Sequence, residues 1–291
     1  MPAALPLAPL SPLLYLPLLE RALAEDLGTA GDLTTDAIVP TGRRCRASIV
    51  MREGGRVAGI DIATAAFRLV DPEVRVRGRV ADGADVAPGA VLADVEGPAR
   101  AVLTAERTAL NLLGRLCGIA TAPRDLVALV APFGTRVLCT RKTTPGLRAL
   151  EKYAVRAGGG VNHRFGLADG ILVKDNHLAV AGSIAVAVER ARALAGPMVK
   201  IEVEVDTLAQ LEQALAAGVD AVLLDNMPVP VLAEAVARAK GRATLEASGG
   251  ITPETAAAVA ATGVDYISVG WLTHGARSRD VALDVKGFSP Q

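Results

Sequence analysis

KIEVEVDTLAQLEQALAAGVDAVLLD, Lys200–Asp225, holds the unit from which the fold is read. A short apolar run, KIEVEV (200–205), precedes LAQLEQALAAG, whose apolar residues recur at three- and four-residue spacing. A second apolar run follows, AVLLD (221–225). Strand, helix and strand in this order predict parallel strands joined by a helical crossover. The same unit recurs on both sides. RVLCT (136–140), GILVK (170–174), ATLEAS (243–248) and YISVG (266–270) are further strands, and IAVAVERARALAG and PETAAAVAATG are further helices. Gly196, Gly218 and Gly263 stand where left-handed caps end helices, and Pro253 suits a first helical turn.

Residues 43–103 have another texture. RCRASIVMREGGRVAG and VRVRGRVADGADVAPGAVLADVEGPARAVL carry short β-like runs, alternation over Val74–Val80, and turns at Asp82-Gly83 and Pro88-Gly89. IDIATAAFRLV between them has helical spacing, as does LTAERTALNLLGRLCGIATA after them. The change of texture places a domain junction near residue 117. The division is 1–116, joined by the tail 276–291, and 117–275. The N-terminus is apolar, but its first basic residue is Arg21, and prolines at 2, 6, 9, 12 and 17 interrupt it. It reads as a loose leader, residues 1–16, running into a helix near Pro17–Asp26, not as a signal peptide. No stretch is expected to have the length and continuity of a membrane span.

Lys and Arg number 31, as do Asp and Glu, and aromatic residues make up 3%. Neutrality and the want of stacking platforms argue against nucleic-acid binding. Cys45, Cys117 and Cys139 lack metal-ligand spacing and read as buried, reduced thiols, which suits a cytoplasmic protein.

Against this neutral background, Thr140–His177 concentrates seven Lys or Arg residues and two of the three histidines, with Glu151, Asp169 and Asp175 as its acids. Arg107, Arg141, Lys142, Arg164 and Lys174, with His163, are candidates to hold an anion. Like charges about 5 Å apart repel by about 3 kcal/mol at an effective dielectric of about 20, so such a cluster calls for a multiply charged ligand. Arg148, Lys152 and Arg156, at helical spacing, are expected to form a solvated face. In an α/β barrel the loops after the strands build the active site, and each strand here ends in polar or small residues. Ser248-Gly249-Gly250 and Val269-Gly270, on the last two strands, are candidates for a phosphate cradle. Glu202 and Glu204 share a strand face, and Asp225 ends the next strand; such acids can hold Mg²⁺ or ribose hydroxyls. No activated nucleophile is evident. Cations, a phosphate cradle and carboxylates point to transfer of a phosphorylated sugar through an oxocarbenium-like state as pyrophosphate departs.

TRKTTPGLRALEKYAVRAGGGVNHRFGLADGILVKDNH closely resembles the signature region of the quinolinate phosphoribosyltransferase family. EDLGTAGDLTTD, ERTALNLLGRLCGIAT, KIEVEVDTL, VLLDNM, LEASGGI and GVDYISVGWLTH resemble its other blocks, in order. The resemblance implies an N-terminal α/β sandwich domain and a C-terminal open α/β barrel, an incomplete TIM-like barrel. It also implies the reaction of quinolinate with phosphoribosyl pyrophosphate, with Mg²⁺, to nicotinate mononucleotide, pyrophosphate and CO₂ in NAD biosynthesis. A homodimer is implied, with Arg107 reaching the other subunit's site, and a higher oligomer is compatible with it. By motif, Thr140, Arg141, His163, Arg164 and Lys174 should line the quinolinate site. Lys142 and Lys174 should approach phosphoribosyl pyrophosphate, and Glu204 and Asp225 should meet ribose hydroxyls or Mg²⁺. The amides of Ser248, Gly249, Gly250, Val269 and Gly270 should hold the 5′-phosphate. Lys142, Lys174, Glu204 and Asp225 would carry the catalysis. Alternatives are a paralogue of the same fold from molybdenum-transport loci, a soluble nicotinate phosphoribosyltransferase, and a non-catalytic binding module like a biotinyl or lipoyl carrier. The last lacks its modifiable lysine, since the first Lys is Lys142.

Overall fold

The computed structural model describes residues 7–289; the first six residues of the leader lie outside them. In chain order the elements are a 3-10 turn (Pro12–Leu14), α1 (Leu16–Leu27), α2 (Leu33–Ile38), β1 (Arg44–Met51), β2 (Gly55–Arg56), α3 (Ile60–Val70), β3 (Arg75–Gly78), β4 (Asp85–Val86), β5 (Ala90–Pro98) and α4 (Ala99–Val130). After a second 3-10 turn come β6 (Arg136–Leu138), α5 (Arg148–Ala157), β7 (Ile171–Val173), α6 (Asp175–Ala181), α7 (Ile184–Leu194), β8 (Ile201–Val205), α8 (Leu208–Ala216) and β9 (Ala221–Asp225). The chain ends with α9 (Val229–Ala239), β10 (Thr244–Ser248), α10 (Pro253–Ala260), β11 (Tyr266–Ser268), α11 (Trp271–His274) and β12 (Val281–Ser289).

Two compact units result. One comprises the chain up to Arg124, Thr143–Gly159, and the segment from Thr273 on; the other comprises Asp125–Lys142 and Gly160–Leu272. The junction expected near residue 117 lies inside α4, which runs through it without a break.

The first unit is built on an antiparallel sheet of order β12-β1-β5-β3. In β1 exposed Arg46 lies between buried Cys45 and Ala47, and from Ala47 to Met51 the strand is buried on both faces. The segment expected to return from the C-terminus is β12, paired along the whole of β1. Helix α3 buries Ile62, Ala63, Ala66 and Phe67. Its N-terminus is held by Asp82, whose carboxylate accepts the amide hydrogens of Gly59 (2.7 Å) and Ile60 (3.2 Å) and the Tyr153 hydroxyl (2.6 Å). Burial, and then this carboxylate, push the Tyr153 hydroxyl far up from its ordinary pKa, so it stays a donor.

Helix α4 corrects one expectation. Ala99–Phe133 is long and apolar enough, by length and composition, to cross a membrane. Here Val102, Ala105, Ala109, Leu113, Leu116 and Cys117 are buried in protein, so the same apolarity serves a core helix. Gly118 lets the C-terminal segment approach it. A Cβ there would stand 2.1 Å from the Arg277 carbonyl oxygen.

A second correction concerns α5. Its basic residues were expected to share a solvated face, but Lys152 is 1% exposed and Glu151 0%. Only Arg156 is exposed, while Arg148 is half-buried and donates to Thr143 Oγ1 at 2.9 Å. Charges at the ends of a helix can leave its packed surface, whereas one in the middle turn of a ten-residue helix buried nearly all round cannot. Glu151 takes Arg115 as its partner (2.7 Å) and also accepts the Thr144 amide hydrogen (3.1 Å). Arg115 donates further to the carbonyls of Thr273 and Ala276. This buried pair ties α4, α5 and the C-terminal segment together. Removing one partner of such a pair costs about 3–5 kcal/mol. Glu151→Ala should therefore lower the urea midpoint by a corresponding amount, and a variant as stable as the parent would refute this role.

The second unit contains all six strands read from the repeat, in a parallel sheet of order β6-β11-β10-β9-β8-β7. Val161 adds one parallel bridge outside β6, at Leu138. Among the described residues β6 and β7 do not pair with each other, so the barrel is open. The helices between strands are capped locally: Thr207 accepts from the Gln210 amide, and Gln210 Oε1 accepts from the Thr207 amide. Gly218 (φ +68°) and Gly263 (φ +91°) take the left-handed conformation. Gly196 does not, because α7 already ends at Ala195, in extended backbone.

Candidate active site

Parallel pairing sends every strand's carboxyl end to one edge of the sheet, and register decides which side chains share a face. Glu202 and Glu204 pair with Ala221 and Leu223; Leu223 and Asp225 pair with Glu246 and Ser248; Ser248 pairs with Ser268. Paired residues in a ladder point to the same side. One face thus carries Glu202, Glu204, Asp225, Glu246, Ser248 and Ser268. Val173 pairs with Val203, so Lys174 follows in line with Glu204. The two are joined, Lys174 Nζ lying 2.5 Å from Glu204 Oε2.

His163 stands at the centre of this face. Its Nε2 is 2.9 Å from Glu202 Oε2 and 3.5 Å from Glu246 Oε2. Its Nδ1 accepts the Arg164 amide hydrogen at 2.8 Å. Glu202 and Glu246 are both buried. Glu246 was not foreseen, because it lies inside the ATLEAS strand rather than at its end. Counting by two from Ser248 would have found it, as it found the pair Glu202 and Glu204. Burial, then the charge of Glu202, push the Glu246 carboxyl up to about 7, against the pull of His163.

Arg164 donates to the Gly170 carbonyl oxygen (2.9 Å), while its Nε is buried with no hydrogen-bond partner. Burial, and next the charge of Arg141, lower the Arg164 pKa from its ordinary value; Glu202 and Asp169 oppose them. Arg141 and Lys142 are exposed after β6, beside Thr140, whose hydroxyl accepts the Lys142 amide hydrogen (3.0 Å). His177 serves as a cap: its Nδ1 accepts the Lys174 amide hydrogen (2.9 Å) at the start of α6.

Asp225 is braced by a residue of unusual backbone. Asn226 has φ +53°, donates from Nδ2 to Asp225 Oδ2 (2.7 Å), and donates its amide hydrogen to the Ser248 carbonyl (2.9 Å). Gly249 (φ +95°) and Gly250 (φ +59°) follow β10. A Cβ on Gly249 would meet Asn226 Oδ1 at 2.1 Å, so the close turn requires glycine. Trp271 Nε1 donates to the Ile251 carbonyl (3.0 Å), and the Val269 amide to the Leu138 carbonyl (3.0 Å), which fixes the loop after β10 and the approach to Gly270. Arg107 belongs to the other unit. It is 63% exposed on α4, with Glu106 as a weak neighbour at 3.8 Å. The three thiols are buried and form no disulfide among the described residues, and burial pushes Cys117 up to about 12, so it is no nucleophile.

Guanidiniums set against one another at the open edge of a parallel sheet, with acids beside them, define a class: α/β-barrel enzymes that bind polyanions and act through positioning and electrostatics. The comparisons narrow it. The model of the quinolinate phosphoribosyl transferase C-terminal domain matches residues 119–284, and that of the N-terminal domain matches residues 32–117. A nicotinate-nucleotide pyrophosphorylase (carboxylating) of Mycobacterium leprae is 49% identical over 276 residues, 92% of this chain and 95% of that one. A probable enzyme of the same name from Bacillus subtilis is 48% identical over 268 residues, 92% of each chain. The structure of the nicotinate-nucleotide pyrophosphorylase from Francisella tularensis superposes with a TM-score of 0.92 at 38% identity, covering 97% of this chain and 100% of that one. This chain belongs to the quinolinate phosphoribosyltransferase family.

The raised Glu246 carboxyl has a consequence for stability. The folded protein holds this proton more tightly than the unfolded chain, so the stability it brings is complete below about 4.5 and is lost as pH rises to about 7. Glu246→Gln, which cannot ionise, should gain melting temperature relative to the parent as pH is raised from about 5 to about 8. A difference that stays constant with pH would contradict the assignment.

Proposed function

We propose that the carboxyl edge of the six-stranded sheet is where this enzyme transfers the phosphoribosyl group of phosphoribosyl pyrophosphate to quinolinate, releasing pyrophosphate and CO₂ and forming nicotinate mononucleotide for NAD biosynthesis. The observation that carries the reading is Arg164, whose Nε is buried without a hydrogen-bond partner while the charge of Arg141 bears on it. Two guanidiniums that repel, one with a buried Nε lacking a partner, are relieved by a ligand bearing two carboxylates.

In this reading Thr140, Arg141, Arg164 and Lys174, with His163 close by, hold the pyridine dicarboxylate. Lys142 and Lys174 meet the phosphoribosyl pyrophosphate. Ser248, Gly249, Gly250, Val269 and Gly270 receive the 5′-phosphate in a turn where no Cβ stands in the way at Gly249 and Gly250. The ring nitrogen attacks the anomeric carbon as its bond to pyrophosphate breaks, and lysine charges stabilise the leaving group. The nitrogen is then cationic. The 2-carboxylate departs as CO₂, its bonding pair remains on the ring carbon beside that cation, and a proton completes the product. Arg141 and Arg164 hold the 3-carboxylate and keep the ring oriented.

Mg²⁺ takes oxygen donors and retains water and substrate phosphates around it. Glu204 and Asp225 offer such donors on one face of adjacent strands, and the positive partner of Glu204, Lys174, suits a shared anionic ligand. Bound there, Mg²⁺ would supply charge compensation for the pyrophosphate. Three buried thiols outside any disulfide among the described residues suit a reducing compartment, which supports a cytoplasmic enzyme.

The exposed Arg107 supports a homodimer in which each subunit lends this side chain to its partner's site. Arg107→Ala and Lys174→Ala proteins should each be inactive alone. Mixed and allowed to exchange subunits, they should recover about a quarter of the sites, as a two-fold dimer dictates. No recovery after verified exchange would exclude the shared site.

The direct assay supplies quinolinate, phosphoribosyl pyrophosphate and Mg²⁺ and follows nicotinate mononucleotide and CO₂. Both should appear in equal amounts; turnover of another pyridine acid without CO₂ would overturn the substrate. Arg141→Ala or Lys174→Ala should lower kcat/KM by about 2–5 kcal/mol, the range for truncating one side of a buried charge contact. Kinetics like the parent's would remove these residues from the site.

A further inference from the structure

His163, Glu202 and Glu246 offer one nitrogen and two carboxylates whose ligand atoms lie within 4.8 Å of one another, a set that could hold a metal ion. The hydrogen bonds argue for another use. An imidazole nitrogen that accepts an amide hydrogen carries no proton. Nδ1 accepts from the Arg164 amide at 2.8 Å. The ring's proton is therefore on Nε2, and Nε2–H points at Glu202 Oε2, 2.9 Å away, with Glu246 Oε2 at 3.5 Å. A protonated Nε2 has no lone pair for a metal. Both ring nitrogens are already committed within the protein, so neither is left to bind a substrate carboxylate.

We propose that Glu202 and Glu246 are positioning residues that hold His163 by its Nε2–H and, through Nδ1, set the backbone from which Arg164 reaches the pyridine dicarboxylate. This rests on the function proposed above and deepens it, by giving His163 a bracing role in place of direct substrate contact. Each link is a contact between different elements. Glu202 is on β8 and Glu246 on β10, two strands away, and His163 follows the Val161 bridge beyond β6. The Val161 bridge and the Asn162 contact with Cys139 tie the start of this loop to the sheet as well. On the far side of Arg164, the Gly170 carbonyl takes one guanidinium nitrogen. The arginine is thus held at its backbone by His163 and at its tip by Gly170. The charged groups beside the carboxylate pair are Lys174 and Arg164. The pair therefore balances the cations of the site with the ligand gone.

The arrangement assigns separate consequences to the two substrates. A loosened His163 misplaces Arg164 and weakens quinolinate, while the glycine turn after β10 and Lys142 keep their own supports. Glu202→Met, which keeps the volume and removes the acceptor, should raise the KM for quinolinate about 10- to 100-fold, the range for losing a hydrogen bond to a charged group, with the KM for phosphoribosyl pyrophosphate changed less than about threefold. Glu246→Leu should act the same way, and Glu246→Gln, which keeps a neutral hydrogen-bonding group, should recover most of the loss. Against a His163→Ala background, Glu202→Met should have almost no further effect, because the two act through one contact. Circular dichroism identifies any variant that fails to fold, and Glu246→Gln is the smallest change of the set.

The parent enzyme is assayed first; if it does not turn over quinolinate, the proposed function fails and not merely this inference. With an active parent, three results would overturn the inference: both KM values rising together, full additivity of Glu202→Met with His163→Ala, or Glu246→Gln as impaired as Glu246→Leu. Stoichiometric metal found in the purified enzyme, and lost in Glu202→Met, would replace the brace by a metal site and overturn it equally.

Discussion

Parallel pairing in register is the constraint on which the second unit depends. Because β6 to β11 run the same way, their carboxyl ends open on one edge. Because side chains alternate, the register puts Glu202, Glu204, Asp225, Glu246, Ser248 and Ser268 on one face. A shift of one residue in a single strand would turn its acids into the helix layer. The apolar residues between them, Val203, Val205, Leu224, Leu245 and Ala247, are buried on the opposite side and hold that register.

The charges on this face are arranged in two tiers. Deep in the sheet, Glu202 and Glu246 are buried and share His163; nearer the edge, Lys174 meets Glu204, and Arg164 and Arg141 oppose one another. The acids let the cations stand together without a ligand, and the cations in turn lessen the cost of burying two carboxylates. Neither tier is favourable alone. An enzyme for anionic substrates needs this balance, since its cations must be fixed in place before the substrate arrives.

The first unit solves a different problem with the same means. Arg115 and Glu151 form a buried pair that joins α4, α5 and the C-terminal segment, and Gly118 allows backbone to lie against α4. Its antiparallel sheet takes its edge strand, β12, from the far end of the chain. The segment Thr143–Gly159, between two strands of the other unit, also belongs to it, so the two units are interleaved in sequence.

Local periodicity carried much of this. All six parallel strands, α3, and the helices after β8 and β10 were legible from spacing, because strand and helix repeats are properties of neighbouring residues. The motif cations and the glycine turn were legible too, since they lie at strand ends. Three features were not. Lys152 reads as a surface charge until α5 is seen to be covered nearly all round. Glu246 reads as a strand residue until β10 is placed between β9 and β11. The contacts of both His163 nitrogens, with Glu202 and with the Arg164 amide, leave no sign in the sequence. By itself the sequence determined which elements form, in what order, and which residues carry charge to the strand ends. Only the tertiary structure decided which charges are buried together and which side chain holds another, because contacts such as His163 to Glu202, 39 residues apart, depend on strand order and register. No local pattern encodes that order.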